Sequence, residues 1–156
     1  MRRKERQVTD LQEILGVIGR CDVCRLGLAD GGQPYVVPLN FGWECEEGKL
    51  TLFFHSAKQG RKLEMIGQNP CACFEMDGSH RMIRGEHACD YSFAYESVIG
   101  TGRVTICESA DEKRKGLTLL MRQMEPGLEF TFSDAQLASV AVLRLDVAEF
   151  ACKRLS

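Results

Sequence analysis

Between Val23 and His55 the chain alternates strand-like runs with turn signals at short, regular intervals, and nothing else in it constrains the fold as much. Val23–Leu28 and Tyr35–Trp43 are joined by Ala29-Asp30-Gly31-Gly32, residues that suit a tight hairpin turn. Glu46-Glu47-Gly48 turns the chain again, into Lys49-Leu50-Thr51-Leu52-Phe53-Phe54-His55. The spacing predicts a three-strand meander. Cys71–Met76, Ser97–Cys107 and Val140–Phe150 read as further strands; in the last, Leu143, Leu145 and Val147 alternate with Arg144 and Asp146. Without regular βαβ alternation, the expected architecture is mainly β: an antiparallel barrel with helices at its periphery.

Three helices are expected around it. Thr9-Asp10-Leu11-Gln12 fits a capping box, followed by Leu11, Ile14, Leu15 and Ile18 at helical spacing as far as Gly19. A second helix runs from about Gly60 to Gln68, closed by Asn69-Pro70, because the residue before a proline resists helix. The third spans Asp111–Met124, with Leu117, Leu120, Met121 and Met124 on one face. Asp77–Asp90 reads as a polar loop. With no linker or repeat, residues 1–156 are expected to form one domain.

Charge and hydropathy exclude several classes of partner. The net charge is −2, which argues against nucleic acid and polybasic membrane binding, and the terminal Arg2-Arg3-Lys4 reads as a solvated tail. No run approaches the ~20 apolar residues of a membrane span, and the N-terminus lacks an apolar signal core, so a cytoplasmic location is expected. There the eight cysteines read as thiols rather than a disulfide framework.

Three stretches carry chemistry. In Phe54-His55-Ser56-Ala57-Lys58-Gln59-Gly60-Arg61-Lys62-Leu63 a strand ends at a histidine and a hydroxyl, and a helix then opens among three cations. Cations are misplaced at a helix N-terminus, where unpaired N–H groups and the macrodipole are already positive. A phosphate monoester among Lys58, Arg61 and Lys62 would relieve this; solvated surface charge is the plain alternative. In Pro34–Phe41, Pro38 cannot donate a ladder hydrogen bond, so it belongs at an edge or bulge, where freed backbone groups could meet a ligand. In Tyr95–Val104, Gly100 and Gly102 mark a bend or a close approach, but no helix follows to make a dinucleotide fingerprint.

Taken together these stretches resemble the nitroimidazole-resistance family of the pyridoxamine-phosphate-oxidase-like FMN proteins. The likeness also covers Met1–Lys4, Cys21–Gly27, Arg81–Glu86 and Cys89-Asp90-Tyr91. It implies a six-stranded antiparallel split β-barrel and a homodimer with FMN in clefts between the subunits. Val37, Pro38, Leu39, Asn40 and Phe41 would line the isoalloxazine ring, largely through backbone groups. His55, Ser56, Lys58, Arg61 and Lys62 match the ribityl and phosphate end, and Ser97, Val98, Ile99 and Gly100 complete the pocket. A C-terminal Thr-Gly-Lys frequent in the family is Ala151-Cys152-Lys153 here, which weakens any role for Lys153. No C-terminal extension beyond Ser156 is expected to cover the flavin.

The implied activity is that of an FMN-dependent oxidoreductase acting on nitroaromatics, with His55 as the catalytic candidate, donating a proton or positioning substrate. The alternatives are a pyridoxamine- or pyridoxine-phosphate oxidase, whose second anion site would fall to Arg81 and Arg84, and a noncatalytic flavin- or haem-binding protein. Cys21-x-x-Cys24 and Cys71-x-Cys73 could supply four thiolates, but strand alternation separates the first pair and no knuckle turn gathers the second, so no metal site is expected. His80 and His87 read as solvated loop residues.

Overall fold

The computed structural model describes residues 3–156. A 3-10 turn (Lys4–Arg6) leads into β1 (Gln7–Val8), α1 (Leu11–Arg20), β2 (Cys24–Asp30), β3 (Gln33–Leu39), β4 (Phe41–Glu46) and β5 (Lys49–Ser56). There follow α2 (Arg61–Gln68), β6 (Cys71–Ile83), a 3-10 turn (Ala88–Asp90), β7 (Ser92–Ile106), α3 (Ala110–Met124), α4 (Asp134–Ser139) and β8 (Ala141–Leu155). The strands make one sheet in the order β3-β2-β6-β7-β8-β5-β4, with β1 added against β8. Every pairing is antiparallel.

β3 and β4 stand at opposite ends of this order, yet only Asn40 separates them in the chain. The sheet must therefore curl until its first and last strands meet at that residue. The result is a split barrel, open along one seam.

Its eight strands exceed the six expected for two reasons. The run Tyr35–Trp43 is not one strand but two, broken at Asn40, and Gln7–Val8 pairs with Cys152 and Lys153. The expected meander is therefore two separate hairpins, β2–β3 and β4–β5, at opposite ends of the sheet. Both turns have two residues at positive φ, Gly31-Gly32 and Glu47-Gly48, as the mirror-image turn requires.

Other local expectations shift. The α1 cap is Asp10 rather than Thr9; its Oδ1 accepts the Glu13 N–H at 2.9 Å, a one-way cap in place of the expected capping box. The polar stretch from Asp77 is strand as far as Ile83, and β7 starts at Ser92. A change of register between Gly78 and Arg81, with Ser79 at φ 57°, breaks the alternation that would have revealed it. In the basic terminus, Lys4–Arg6 is ordered as a 3-10 turn and Arg3 pairs with Glu5 at 3.6 Å, whereas Met1 and Arg2 lie outside the described residues.

Inside the barrel Leu26, Phe41, Leu52, Phe54, Phe74 and Leu145 are buried, covered by Ile14, Val17 and Ile18 of α1 and Met65 and Ile66 of α2. Each such side chain contributes about 1.5–3 kcal/mol by leaving water. α3 lies so close on β4 that a Cβ at Gly42 would collide with the backbone of Leu119 and Leu120. Gln123 then ties α3 to the end of α1, accepting from Trp43 Nε1 at 2.9 Å and donating to the Cys21 carbonyl at 2.9 Å. No helix among the described residues is long and apolar enough to cross a membrane.

Candidate functional site

Of the predicted residues, Val37–Phe41 and the stretch from His55 into α2 meet at the seam, and Ser97–Gly100 does not. Phe41 faces Phe54 across β4 and β5, so Asn40 leaves the sheet next to His55, and α2 begins five residues after Ser56. His55 is exposed between buried neighbours, as an alternating strand residue pointing outward must be. Ser56 is buried, 6% exposed, and its hydroxyl donates to the Ala57 carbonyl at 2.7 Å. It braces the loop before α2.

The N-terminus of α2 differs from those of the other helices. Asp10, Ser109 and Ser133 each cap a helix through a side-chain oxygen that accepts a backbone N–H. Gly60, at φ 134°, offers α2 no side-chain cap, while its carbonyl receives the N–H groups of Leu63 and Glu64. The N–H groups of Arg61 and Lys62 therefore have no partner in the helix. Lys58, Arg61 and Lys62 surround them, and none of the three is in an ion pair among the described residues. A doubly charged phosphate oxygen cluster fits such a set: free backbone donors, the positive end of a helix, and cations with no acid already holding them.

β3 runs along the seam as an edge strand, which is where Pro38 can sit without breaking a ladder. Pro38 faces outward, whereas Val37 and Leu39 turn toward the core, Phe41 is wholly buried and Asn40 donates to the Asp22 carbonyl at 3.0 Å. This segment therefore offers a ligand its backbone edge and the Pro38 ring.

Ser97–Gly100 is placed differently. Val98 and Gly100 face inward, and a Cβ at Gly100 would strike the Phe74 ring and the Glu149 carbonyl, so the flat group that needs this glycine is Phe74. Gly102 does mark a bend, at the irregularity where β8 carries an extra residue. Val98 pairs with Cys152, whereas His55 pairs with Val142, ten positions back along the same strand. At about 3.3 Å per residue this is roughly 33 Å along the strand. Across the sheet, Ile99 shares a row with Pro38 three strands away, about 14 Å, so within one chain Ser97–Gly100 stands across the outer face from Val37–Phe41 rather than beside His55.

Two features escape sequence reasoning. The Arg61 guanidinium lies over the ring of Tyr35, 4.8 Å from its centroid. On the outer face, Pro38, Arg25, Glu75 and Ile99 form one row across β3, β2, β6 and β7. Arg25 donates to Glu75 at 2.9 Å and to Asp77 at 2.6 Å, and His80 Nε2 meets Asp77 at 2.8 Å, so His80 is not a free loop residue. Next to this row a shallow groove of about 720 Å³ passes Val36, Gly27, Cys73, Thr101 and Arg103. Its walls are mostly apolar; Tyr35 lines it and His55 does not.

The cysteines are all free: Cys21, Cys24, Cys107 and Cys152 are buried, Cys45 is half-buried, and Cys71, Cys73 and Cys89 are exposed. Among the described residues no three His, Cys, Asp or Glu side chains are grouped so as to hold a metal ion.

With this fold and seam in view, the chain belongs to the pyridoxamine 5'-phosphate oxidase family, whose sequence model matches residues 10–154. A crystal structure of a candidate 5-nitroimidazole antibiotic resistance protein from Bacteroides thetaiotaomicron VPI-5482 is 34% identical, at a TM-score of 0.82, covering 95% of this chain and 86% of that one. A flavocytochrome from Azotobacter vinelandii shares the fold at TM-score 0.81 and 19% identity, over 100% of this chain and 72% of the other. An FAD and haem binding protein from Mycobacterium smegmatis does so at TM-score 0.81 and 20% identity, over 96% and 73%. No curated protein matches this chain.

Proposed function

We propose that this protein is an FMN-dependent oxidoreductase of the cytoplasm that reduces nitroaromatic compounds such as 5-nitroimidazoles, working as a homodimer. One observation carries the flavin assignment: α2 begins with N–H groups unpaired in the helix, among three cations that form no ion pair among the described residues, shortly after the strand end bearing His55. Lys58, Arg61 and Lys62 would hold the phosphate, and the backbone edge from Val37 to Phe41 would line the ring. When bound, FMN would supply the electrons that carry a nitro group toward the amine. His55, exposed at the mouth of the seam, would donate a proton or orient the substrate. The 34% identical relative supports the substrate class by its description.

The placement of Ser97–Gly100 supports the homodimer. If that segment completes the pocket, it must come from a second copy. The outer face supports this, with Val36 61% and Ile99 57% exposed beside the apolar groove. A pyridoxamine-phosphate oxidase fits less well, since Arg81 lies near the far end of β6 from α2 and Arg84 just beyond it.

The direct test is flavin binding by the Arg61→Ala/Lys62→Ala variant. Each charge-assisted bond contributes about 1.5–3 kcal/mol, so FMN affinity should fall by orders of magnitude while riboflavin affinity changes little. Equal FMN affinity in variant and parent would refute the site. A Soret band in place of flavin bands in the purified protein would favour the haem-binding alternative. Anaerobic incubation with a 5-nitroimidazole and a reductant then tests the substrate, persistence of the nitro group counting against it.

A further inference from the structure

We propose that Tyr35 is a positioning residue: its ring holds the Arg61 guanidinium ready for the phosphate of a flavin mononucleotide. This rests on the flavin reading above and deepens it. Arg61 is exposed at the first position of α2, with Lys62 adjoining it and Lys58 three residues before. Left to itself, its side chain would be driven off by the helix dipole and by both lysines, and would keep rotamer freedom to be lost on binding. No acid restrains it among the described residues. The Tyr35 ring does, at 4.8 Å from its centroid.

The kind of restraint matters. A carboxylate would occupy the N–H groups of the guanidinium and cancel its charge before any ligand arrived. An aromatic face attracts the cation through its quadrupole and leaves all five in-plane donors free for phosphate oxygens. The ring is itself well fixed: Tyr35 pairs with Leu28 across β2 and β3 and packs, half-buried, against the barrel core. The barrel's rigidity is thereby passed to a cation on a helix end that carries no cap.

The test compares FMN with riboflavin, which lacks the phosphate, by flavin fluorescence quenching on the apo-protein. Tyr35→Phe keeps the ring and should leave the FMN-to-riboflavin affinity ratio unchanged. Tyr35→Leu should lower the ratio roughly three- to ten-fold. Phenylalanine analogues with increasing fluorination, placed at position 35, keep the shape and drain the quadrupole, so the ratio should fall stepwise. In an Arg61→Ala background these changes should have no further effect.

Loss of FMN and riboflavin affinity in equal proportion would show mere packing and overturn the proposal. So would a ratio insensitive to fluorination while Arg61→Ala still collapses it. A ratio untouched by Arg61→Ala would instead bring down the phosphate site itself. If Tyr35→Leu fails to fold, the fluorinated series decides alone.

Discussion

At the scale of single residues, burial has settled the chemistry of the thiols. Desolvation pushes Cys21 up to about 11, helped by the nearby Asp77 and Glu75 carboxylates, and drives Cys24 upward still further. Burial raises Cys107 and Cys152 as well. A thiol held protonated in the folded chain, but free to ionise near its ordinary value of 9.0 when unfolded, makes the unfolded state bind fewer protons above that pH. Stability should therefore hold up to about pH 9 and decline as pH rises through 9 to 11, read as a falling urea midpoint. Cys24→Ala should make that decline shallower, at the cost of some stability at pH 8. In native protein these four buried thiols should stay unlabelled by a thiol reagent until the chain unfolds. Prompt labelling of Cys24 would contradict the placement.

At the scale of elements, α2 is the one whose sequence works against its own stability. Three helices begin with Asp or Ser caps and acidic first turns. α2 begins with Gly60 and two cations ahead of its own first-turn acid, Glu64, although its buried Met65 and Ile66 hold it on the barrel. If the charges serve a ligand rather than the helix, removing one should stabilise the apo-protein. Lys62→Glu should raise apo-protein stability by about 0.3–1 kcal/mol, as expected for an acid in a first turn, and should weaken FMN binding sharply. Loss of both together would mean that Lys62 is a structural residue.

At the scale of the whole molecule, the outer face of β3, β2, β6 and β7 is where the proposed homodimer would form. Val36 and Ile99 are exposed there beside a groove floored by Gly27, where a Cβ would run into the Cys73 thiol. A two-fold dimer through this face would bring the partner's Ser97–Gly100 toward the seam and bury its own Cys73. Light scattering at micromolar concentration should give a dimer. In it Cys89, on the 3-10 turn between β6 and β7, should react with a thiol reagent well before Cys73. An FMN-loaded monomer with Cys73 and Cys89 equally reactive would rule this arrangement out.

What the sequence by itself determined are the features whose causes are local. Gly31-Gly32 and Glu47-Gly48 form turns because of their own backbone freedom, α1 and α3 follow from apolar residues at helical spacing, and Pro38 had to lie at an edge or a bulge. The charges around α2 are misplaced by a rule that operates within one turn. α4 carried its capping box, Ser133 with Gln136, but six residues are too few to show a period. Tertiary structure alone decided which strands are neighbours. Asn40 divides one apolar run between β3 and β4, at opposite ends of the sheet, because the chain turns from one edge of the curled sheet to the other at that residue. It also decided that Tyr35 meets Arg61, 26 positions on, and that Gly100 makes room for Phe74. Contacts across a curled sheet depend on curvature and register, and those are set by the packing of the whole core rather than by any segment of it.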